Sequence, residues 1–321
     1  MMNDTIAGVL NENIEKNSFS GVLSVYRDKH QVFERAVGDR NKAEMLRNRI
    51  DTRFGIASGC KIFTAIAIAQ LVDRGKVTFQ SKLIDVLPIE FDHFDEHITI
   101  HHLLTHTSGI PDYFDEETMD DFEALWKERP VYLMKNGEDF LPFFQKEKMK
   151  GKPGKAFQYN NAGFILLGLV VEHLSGQRFT DYIQSSIFQP AGMMDSGYFS
   201  MDALPFNTAY GYIQKEGEMR TNIFSVPIQG GADGGAFVSA RDMHLFWDAL
   251  LQFKLISKSM TEMVLHSHQT VNETVDYGYG VWMKTSENAF LKYYIMGYDP
   301  GVSFHSAYYP KFGTTLVVGS N

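Results

Sequence analysis

The stretch Phe54-Gly-Ile-Ala-Ser-Gly-Cys-Lys61 leads directly into Ile62-Phe-Thr-Ala-Ile-Ala-Ile-Ala-Gln-Leu-Val-Asp-Arg-Gly75. The second part predicts a helix, because apolar residues recur every three or four positions and also fill the other sides. A helix that is apolar all round is a buried one. Gly75 follows a polar last turn, so we expect the helix to end there in a left-handed cap.

The buried helix begins at a Ser-x-x-Lys tetrapeptide that runs from Ser58 to Lys61. Residues three apart lie on one face of a helix, so the two side chains can meet. A serine hydroxyl is a weak nucleophile that needs a base, and an apolar environment favours the neutral, basic form of a lysine. Backbone N–H groups at a helix start also stabilise developing negative charge. Because roughly one such tetrapeptide arises by chance in a chain of this length, its position before a buried helix is what makes it informative.

Ser-Gly-Cys-Lys followed by Ile-Phe-Thr-Ala resembles the active-site helix of the serine β-lactamase and penicillin-binding-protein superfamily. The class C β-lactamase-like branch, which includes D-aminopeptidases and esterases, is the most similar. The resemblance extends over nearly the whole chain. Its other landmarks are Thr105-His-Thr-Ser-Gly-Ile110, Tyr159-Asn-Asn161 with Gly163, Phe164 and Gly168, the segment from Ser175 to Met193, and the glycine-rich turn from Gly230 to Asp242.

The resemblance implies catalytic roles for four residues. Ser58 would be the nucleophile, and Lys61 and Tyr159 would share general acid–base catalysis. Asn161 would offer an amide for hydrogen bonds to Lys61 and to the substrate. We expect the charge of Lys61 to lower the pKa of Tyr159, because a nearby cation favours the phenolate. The alternative is a core tyrosine whose hydroxyl is satisfied by a neighbour.

A third motif of the resembled family is altered at residues 295–298. There the family carries Lys-Thr-Gly or His-x-Gly, with a cation that faces the serine, whereas this chain reads Ile295-Met-Gly297. By analogy, the N–H groups of Ser58 and Tyr298 would form an oxyanion hole, so Gly297 and Tyr298 are predicted to border the substrate. Burying a carboxylate beside Ile295 without a partner is costly. We therefore expect weak β-lactam turnover and a preference for substrates without an acid near the scissile bond.

The composition is that of an ordinary globular enzyme of 321 residues, 44% hydrophobic and 21% charged. A net charge of −9 argues against nucleic acid or an anionic membrane as a partner. No stretch approaches the length of a membrane span, and the N-terminus lacks the features of a secretion signal. We expect a monomer that is cytoplasmic as written, or exported if a signal peptide was removed. The single cysteine, Cys60, excludes an intramolecular disulfide and is predicted to be a small buried hydrophobe.

Three histidines raise the alternative of a metal site, because His102 and His106 are four residues apart and His101 precedes them. However, no Glu follows His102 in the pattern of zinc peptidases. In the resembled family the Thr-His-Thr-Ser-Gly-Ile segment is structural. We therefore expect neither a metal nor another cofactor.

The predicted fold class is α+β. A short amphipathic helix is expected at residues 3–16, and strands are expected at residues 20–26, 31–37, 277–283, 289–295, 303–309 and 314–318. Tight turns, one of them around residues 286–288, would join these strands antiparallel. The result is an antiparallel sheet of five or six strands from both termini, flanked by helices, with a large helical domain inserted, as in the β-lactamase/transpeptidase fold. The predicted domains are residues 1–56 with 271–321 for the sheet and 57–270 for the helices, with the active site between them.

These features predict a serine hydrolase that forms an acyl-enzyme on ester or amide bonds of small molecules or peptides. One alternative is a penicillin-binding or acyl-binding protein that is acylated but does not turn over. Another is a structural or interaction protein with vestigial motifs. The intact set of Ser58, Lys61 and Tyr159 argues against vestigial motifs. The sequence does not name the substrate.

Overall fold

The computed structural model describes residues 2–116, 118–119, 121–215, 217–286 and 289–321, apart from the side chains of residues 2–6 and 122. The helix predicted near the N-terminus is confirmed, and most of the other helices lie between the two groups of sheet strands. The α-helices are α1 (Met2–Lys16), α2 (Lys61–Asp73), α3 (Leu83–Val86), α4 (Ile100–Leu104), α5 (Phe122–Glu128), α6 (Asn161–Ser175), α7 (Phe179–Ile183), α8 (Gln189–Ala191), α9 (Ala240–Leu251) and α10 (Lys258–Val264). Shorter 3-10 helices span Ala57–Cys60, Val131–Leu133, Gly137–Phe143 and Pro310–Phe312, and a π-helix spans Gln184–Phe188.

An eight-stranded antiparallel sheet joins the two ends of the chain, in the order β2-β1-β14-β13-β12-β11-β10-β9. The register between β1 and β14, which pairs Gly21 with Ser320, ties the N-terminal hairpin to the last strand. The other strands form three short two-stranded ladders, β3 with β4, β5 with β8 and β6 with β7. The strands are β1 (Gly21–Arg27), β2 (His30–Val37), β3 (Asp39–Asn41), β4 (Leu46–Arg47), β5 (Phe54–Gly55), β6 (Tyr212–Lys215), β7 (Glu218–Thr221), β8 (Phe237–Val238), β9 (Gln269–Asn272), β10 (Val275–Tyr277), β11 (Trp282–Ser286), β12 (Ala289–Asp299), β13 (Val302–Tyr309) and β14 (Thr314–Ser320).

The predicted α+β fold with an antiparallel sheet from both termini is confirmed, but the sheet has eight strands rather than five or six. The single strand expected at residues 277–283 is in fact interrupted by a turn at residues 278–281, in which the N–H of Gly278 donates to the carbonyl of Val281 at 2.8 Å. Residues 269–277 therefore form an additional hairpin, β9 and β10, at one edge of the sheet. The turn predicted around residues 286–288 lies partly outside the described residues. The division into two domains stays a prediction.

Helix α2 is buried from Lys61 to Leu71, as the apolar sequence predicts. It packs against α6, α7 and α10 within one continuous hydrophobic core. Each fully buried side chain such as Phe63 or Ile66 contributes about 1.5–3 kcal/mol of burial free energy. Its polar side chains reach neighbouring segments, since Nε2 of Gln70 donates to the carbonyls of Ser186 and Leu255 at 2.9 Å. No helix in the described part of the chain is both long and apolar enough to cross a membrane.

The start of α2 is held between the sheet and a glycine-rich turn at residues 230–235. Strand β5 pairs with β8, and the N–H of Ile56 donates to the carbonyl of Ala236 at 2.9 Å. On the other side, β12 contacts the 3-10 turn Ala57–Cys60. These contacts leave Ser58 half-buried at the edge of a cavity.

Candidate active site

Ser58 is the second residue of the 3-10 turn that leads into α2. The preceding residue, Ala57, is buried and has a φ of 45°, a left-handed conformation that non-glycine residues adopt rarely. Such backbone strain persists only where the surroundings fix the conformation, and it concentrates at functional sites. Cys60, two residues after Ser58 in the same turn, is fully buried, as predicted. Burial raises the pKa of Cys60 to about 12. The thiol is therefore an inert neighbour of Ser58.

Lys61 lies one turn from Ser58, and only 2% of its surface is exposed. Its Nζ donates to Ser58 Oγ at 2.9 Å, to Asn161 Oδ1 at 2.8 Å and to the backbone carbonyl of Asp233 at 2.7 Å. A protonated lysine has three N–H donors, so each donor has one acceptor here. The predicted contact of Ser58 with Lys61 is present. The contact with Asp233 was not predicted, because the sequence identified the glycine-rich turn only as a landmark of the resemblance.

Tyr159 places its hydroxyl within interaction range of the Ser58 hydroxyl. Its ring centre is 5.0 Å from Lys61 Nζ, and it stacks on Trp282 with an interplanar angle of 18°. Burial raises the pKa of Tyr159 well above its ordinary value, and the charge of Glu116 acts in the same direction. The predicted lowering of this pKa is therefore wrong, because the cost of burying a phenolate outweighs the nearby cation.

His106, in the Thr-His-Thr-Ser-Gly-Ile segment, packs its ring against the ring of Tyr159. This contact is structural. The two rings lie 4.4 Å apart. His106 Nδ1 accepts the backbone N–H of Asn160 at 3.0 Å, which leaves the proton on Nε2 to donate to the hydroxyl of Tyr277 at 3.1 Å. Burial lowers the pKa of His106 well below its ordinary value, so the ring stays neutral. His102 is structural too, since its Nδ1 accepts the N–H of Thr99 at 3.2 Å in the capping box of α4.

Asn161 is the first residue of α6, and its side chain is held by contacts from two directions. Its Oδ1 accepts from Lys61, as predicted. Its Nδ2 faces three oxygens, Asp112 Oδ2 at 3.4 Å, the carbonyl of Phe114 at 3.2 Å and Glu116 Oε1 at 3.3 Å. The amide therefore links Lys61 to the loop that carries Asp112, Phe114 and Glu116.

Gly297 brings β12 against the turn that carries Ser58. A Cβ at this position would lie 2.0 Å from the carbonyl oxygen of Ile56 and 2.8 Å from the backbone nitrogen of Ser58. Strand β11 pairs with β12 only as far as Tyr294, so the following residues are free of a strand partner on that side. Tyr298 lines the cavity beside Ser58, and its side chain is 75% exposed. This placement fits the predicted positions of Gly297 and Tyr298.

The cavity next to Ser58 is apolar and acidic. Its described lining includes the carboxylates of Glu116, Asp233 and Asp299 but no lysine, arginine or histidine. Ile295, at the position where the resembled family has a cation, is buried in the hydrophobic core with 1% exposure. Much of the remaining wall is aromatic or aliphatic, with Tyr113, Phe114, Leu125, Trp126, Phe140, Phe199, Met201, Val226 and Phe237.

Two of these carboxylates have raised pKa values because of burial. The pKa of Asp299 is raised to about 7, with the charge of Asp233 adding to the effect and that of Lys61 opposing it. Burial also raises the pKa of Asp233, whose Oδ2 accepts the hydroxyl of Tyr113. Asp299 could have been found from the sequence. Side chains alternate between the two faces of a strand, so residues 297 and 299 lie on the same face of β12. The sequence offered no signal for Asp233 or Glu116.

Comparisons with known proteins agree with this arrangement. A family model described as Beta-lactamase matches residues 6–319. Penicillin-binding protein 4* of Bacillus subtilis (strain 168) is 29% identical, over 96% of this chain and 69% of that protein. The crystal structure of a penicillin binding protein from Bacillus halodurans is 50% identical with a TM-score of 0.94, over 97% of this chain and 95% of that one. An octameric penicillin-binding protein homologue from Pyrococcus abyssi is 26% identical with a TM-score of 0.86, over 100% of this chain and 74% of that one.

The close approach at Gly297 generates a prediction. Gly297→Ala should slow the reaction of Ser58 with an aryl ester by about 10²-fold or more, because the added methyl group separates β12 from the N–H of Ser58. Stopped-flow rates and thermal unfolding should be measured together. Gly151→Ala is the matched control, since a Cβ there has only ordinary contacts, at 3.7 Å. An unchanged rate in a folded Gly297→Ala protein would show that β12 does not contribute to the site.

Proposed function

The chain belongs to the Beta-lactamase family, which includes serine hydrolases of amide and ester bonds, and we propose that it hydrolyses such bonds through an acyl-enzyme on Ser58. One observation carries the proposal. Half-buried Ser58 borders a cavity, and its hydroxyl accepts a hydrogen bond from Lys61 and lies within interaction range of the hydroxyl of Tyr159. A nucleophile with a proton-relaying phenol and a charge-stabilising lysine in reach is an arrangement that acyl transfer can use.

In the proposed acylation, Ser58 Oγ attacks the carbonyl carbon of the substrate. Because burial raises the pKa of Tyr159, its phenol holds a proton at rest, so we infer that it acts as a relay. The proton of Ser58 passes to Tyr159 Oη, and the phenolic proton passes to the leaving alcohol or amine as the bond breaks. The ammonium group of Lys61 stabilises the negative charge that develops on Ser58 Oγ.

Deacylation would use the same residues in reverse. Water attacks the acyl carbon, its proton passes to Tyr159 Oη, and the phenolic proton returns to Ser58 Oγ as the acid leaves. In both steps the N–H groups of Ser58 and Tyr298 would donate to the carbonyl oxygen. The proximity of Gly297 to Ser58 supports this assignment of the oxyanion hole.

The substrate is proposed to be a neutral or cationic ester, amide or peptide with an apolar group. Three carboxylates border the cavity, and no described cation borders it to bind an acid. The aromatic wall formed by Trp126, Phe140 and Phe237 suits an apolar acyl or leaving group. β-Lactams and D-Ala-D-Ala peptides carry a carboxylate near the scissile bond, so we propose that they are poor substrates.

A second candidate is a penicillin-binding or acyl-binding protein that is acylated but not turned over. The similarity to penicillin-binding proteins from two Bacillus species favours it. The two candidates share the acylation step and differ in deacylation. A stoichiometric burst without steady-state product release would support the second.

We propose that one chain is sufficient for activity, because Ser58, Lys61, Tyr159 and Asn161 all come from the same chain. A monomer is the simplest assembly that fits. The Pyrococcus abyssi homologue, which is octameric, shows that the fold also occurs in larger assemblies.

The first prediction of this proposal is acylation of Ser58. A fluorophosphonate should add one adduct per chain, and peptide mass spectrometry should place the adduct on Ser58. Ser58→Ala should abolish the labelling, whereas Cys60→Ala should keep it, because the Cys60 thiol is buried with a raised pKa. Labelling that persists in Ser58→Ala would refute the assignment.

The second prediction concerns substrate charge. The kcat/KM for a neutral aryl ester should exceed that for the anionic cephalosporin nitrocefin by about 10²-fold or more, because a charge-assisted hydrogen bond of ~1.5–3 kcal/mol is missing and nearby carboxylates repel the substrate. Asp299→Asn should narrow this difference. Glu262→Gln is the matched control, because it changes net charge equally at an exposed position of α10. Efficient nitrocefin turnover by the unmodified protein would contradict the prediction.

A further inference from the structure

The amide of Asn161 can act on Lys61 only in one orientation. Its Oδ1 must face the ammonium group, which it does at 2.8 Å. An amide keeps almost the same shape when it is turned by 180°, so packing alone does not select the orientation. A turned amide would place an NH₂ group against the ammonium group, and Lys61 would lose one of its three acceptors.

The segment from Asp112 to Glu116 selects the productive orientation. It surrounds Nδ2 of Asn161 with three oxygens, from the side chain of Asp112, the carbonyl of Phe114 and the side chain of Glu116. If the amide were turned, its oxygen would face these three acceptors. Both ends of the turned amide would then be repelled, so the observed orientation is fixed by electrostatics.

Asp112 also fixes the backbone from which Asn161 projects. Its Oδ2 accepts the N–H of Asn161 at 2.7 Å, and its Oδ1 accepts the N–H groups of Ala162 at 2.9 Å and Tyr113 at 2.8 Å. The first N–H groups of a helix have no partner within the helix, so this carboxylate satisfies two of them at the start of α6. Burial raises the pKa of Asp112 to about 7, against the opposing effect of these hydrogen bonds and of Lys61.

The same segment reaches the other structural acceptor of Lys61. The hydroxyl of Tyr113 donates to Oδ2 of Asp233, and the backbone carbonyl of Asp233 accepts from Lys61 at 2.7 Å. Adjacent residues of one loop therefore hold both acceptors that keep the ammonium group near Ser58.

We propose that Asp112 is a positioning residue for acyl transfer, which acts through Asn161 to hold Lys61 toward Ser58. It touches neither the substrate nor the reacting atoms. The inference rests on the proposed function for its kinetic consequence, but its structural consequence can be measured without any activity.

Asp112→Asn removes this function while it conserves shape. Whichever way an asparagine amide is turned, its NH₂ group faces backbone N–H donors that the carboxylate now accepts. We expect kcat for a neutral aryl ester to fall by about 10-fold with KM changed less than threefold, because the acyl-transfer step is affected more than binding. Asn161→Ala should also lower kcat, and adding Asp112→Asn to it should cost less than about twofold, since the two residues act in series.

The side-chain amide of Asn161 provides the activity-independent readout. In ¹⁵N-asparagine-labelled protein, its hydrogen exchange should accelerate by about 10-fold or more in Asp112→Asn, because protection depends on these hydrogen bonds. Ser257→Ala is the control, since it removes the N-cap of α10 outside the cavity and should alter neither exchange of Asn161 nor kcat.

The outcomes separate the two claims. If the unmodified protein shows no acylation of Ser58, the proposed function fails, and the exchange measurement still tests the positioning of Asn161. If Ser58 is acylated but the losses from Asp112→Asn and Asn161→Ala multiply, Asp112 has only a stabilising role in α6. Unchanged exchange in Asp112→Asn also overturns the inference.

Discussion

The ammonium group of Lys61 lies at the start of α2, where its three donors meet Ser58, Asn161 and the carbonyl of Asp233. A buried charge is costly unless it is paired and hydrogen-bonded, and Lys61 is 2% exposed. Each acceptor comes from a different part of the helical region, namely the 3-10 turn, α6 and the glycine-rich turn. The requirement to satisfy one lysine therefore fixes the relative positions of the segments that form the site.

The surrounding charges extend this arrangement into the cavity. One described cation, Lys61, lies among the carboxylates of Asp112, Glu116, Asp233 and Asp299, three of which have pKa values raised by burial. The carboxylates play different parts, because Asp112 binds backbone N–H groups whereas Asp299 lines the space next to Ser58. Electrostatic complementarity then favours substrates that bring no negative charge.

The sequence predicted features that depend on local spacing and failed on those that depend on distant contacts. Ser58 and Lys61 are three residues apart at the start of an apolar helix, so periodicity alone placed them together. Asp233 is 172 positions from Lys61 and acts through its backbone, which leaves no residue-type signal. The pKa of Tyr159 was predicted in the wrong direction because the sequence indicated the cation but not the extent of burial. Strand β10 was not separated from β11 because the turn at residues 278–281 divides an apparently continuous β pattern, and no strand was predicted at the position of β9.

The central claim is that Lys61 and Tyr159 act on Ser58 as one unit, in which Tyr159 relays the proton and Lys61 stabilises the negative charge that develops on Ser58. The most direct test is the single-turnover acylation rate of Lys61→Met, Tyr159→Phe and the double variant with a neutral aryl ester, in proteins whose thermal unfolding confirms a folded state. Tyr159→Phe keeps the ring that packs on Trp282 and removes only the hydroxyl. Each single change should slow acylation by about 10²-fold or more, and the double variant should be little slower than either, because residues that act as a unit are non-additive. Losses that multiply in the double variant would contradict the account.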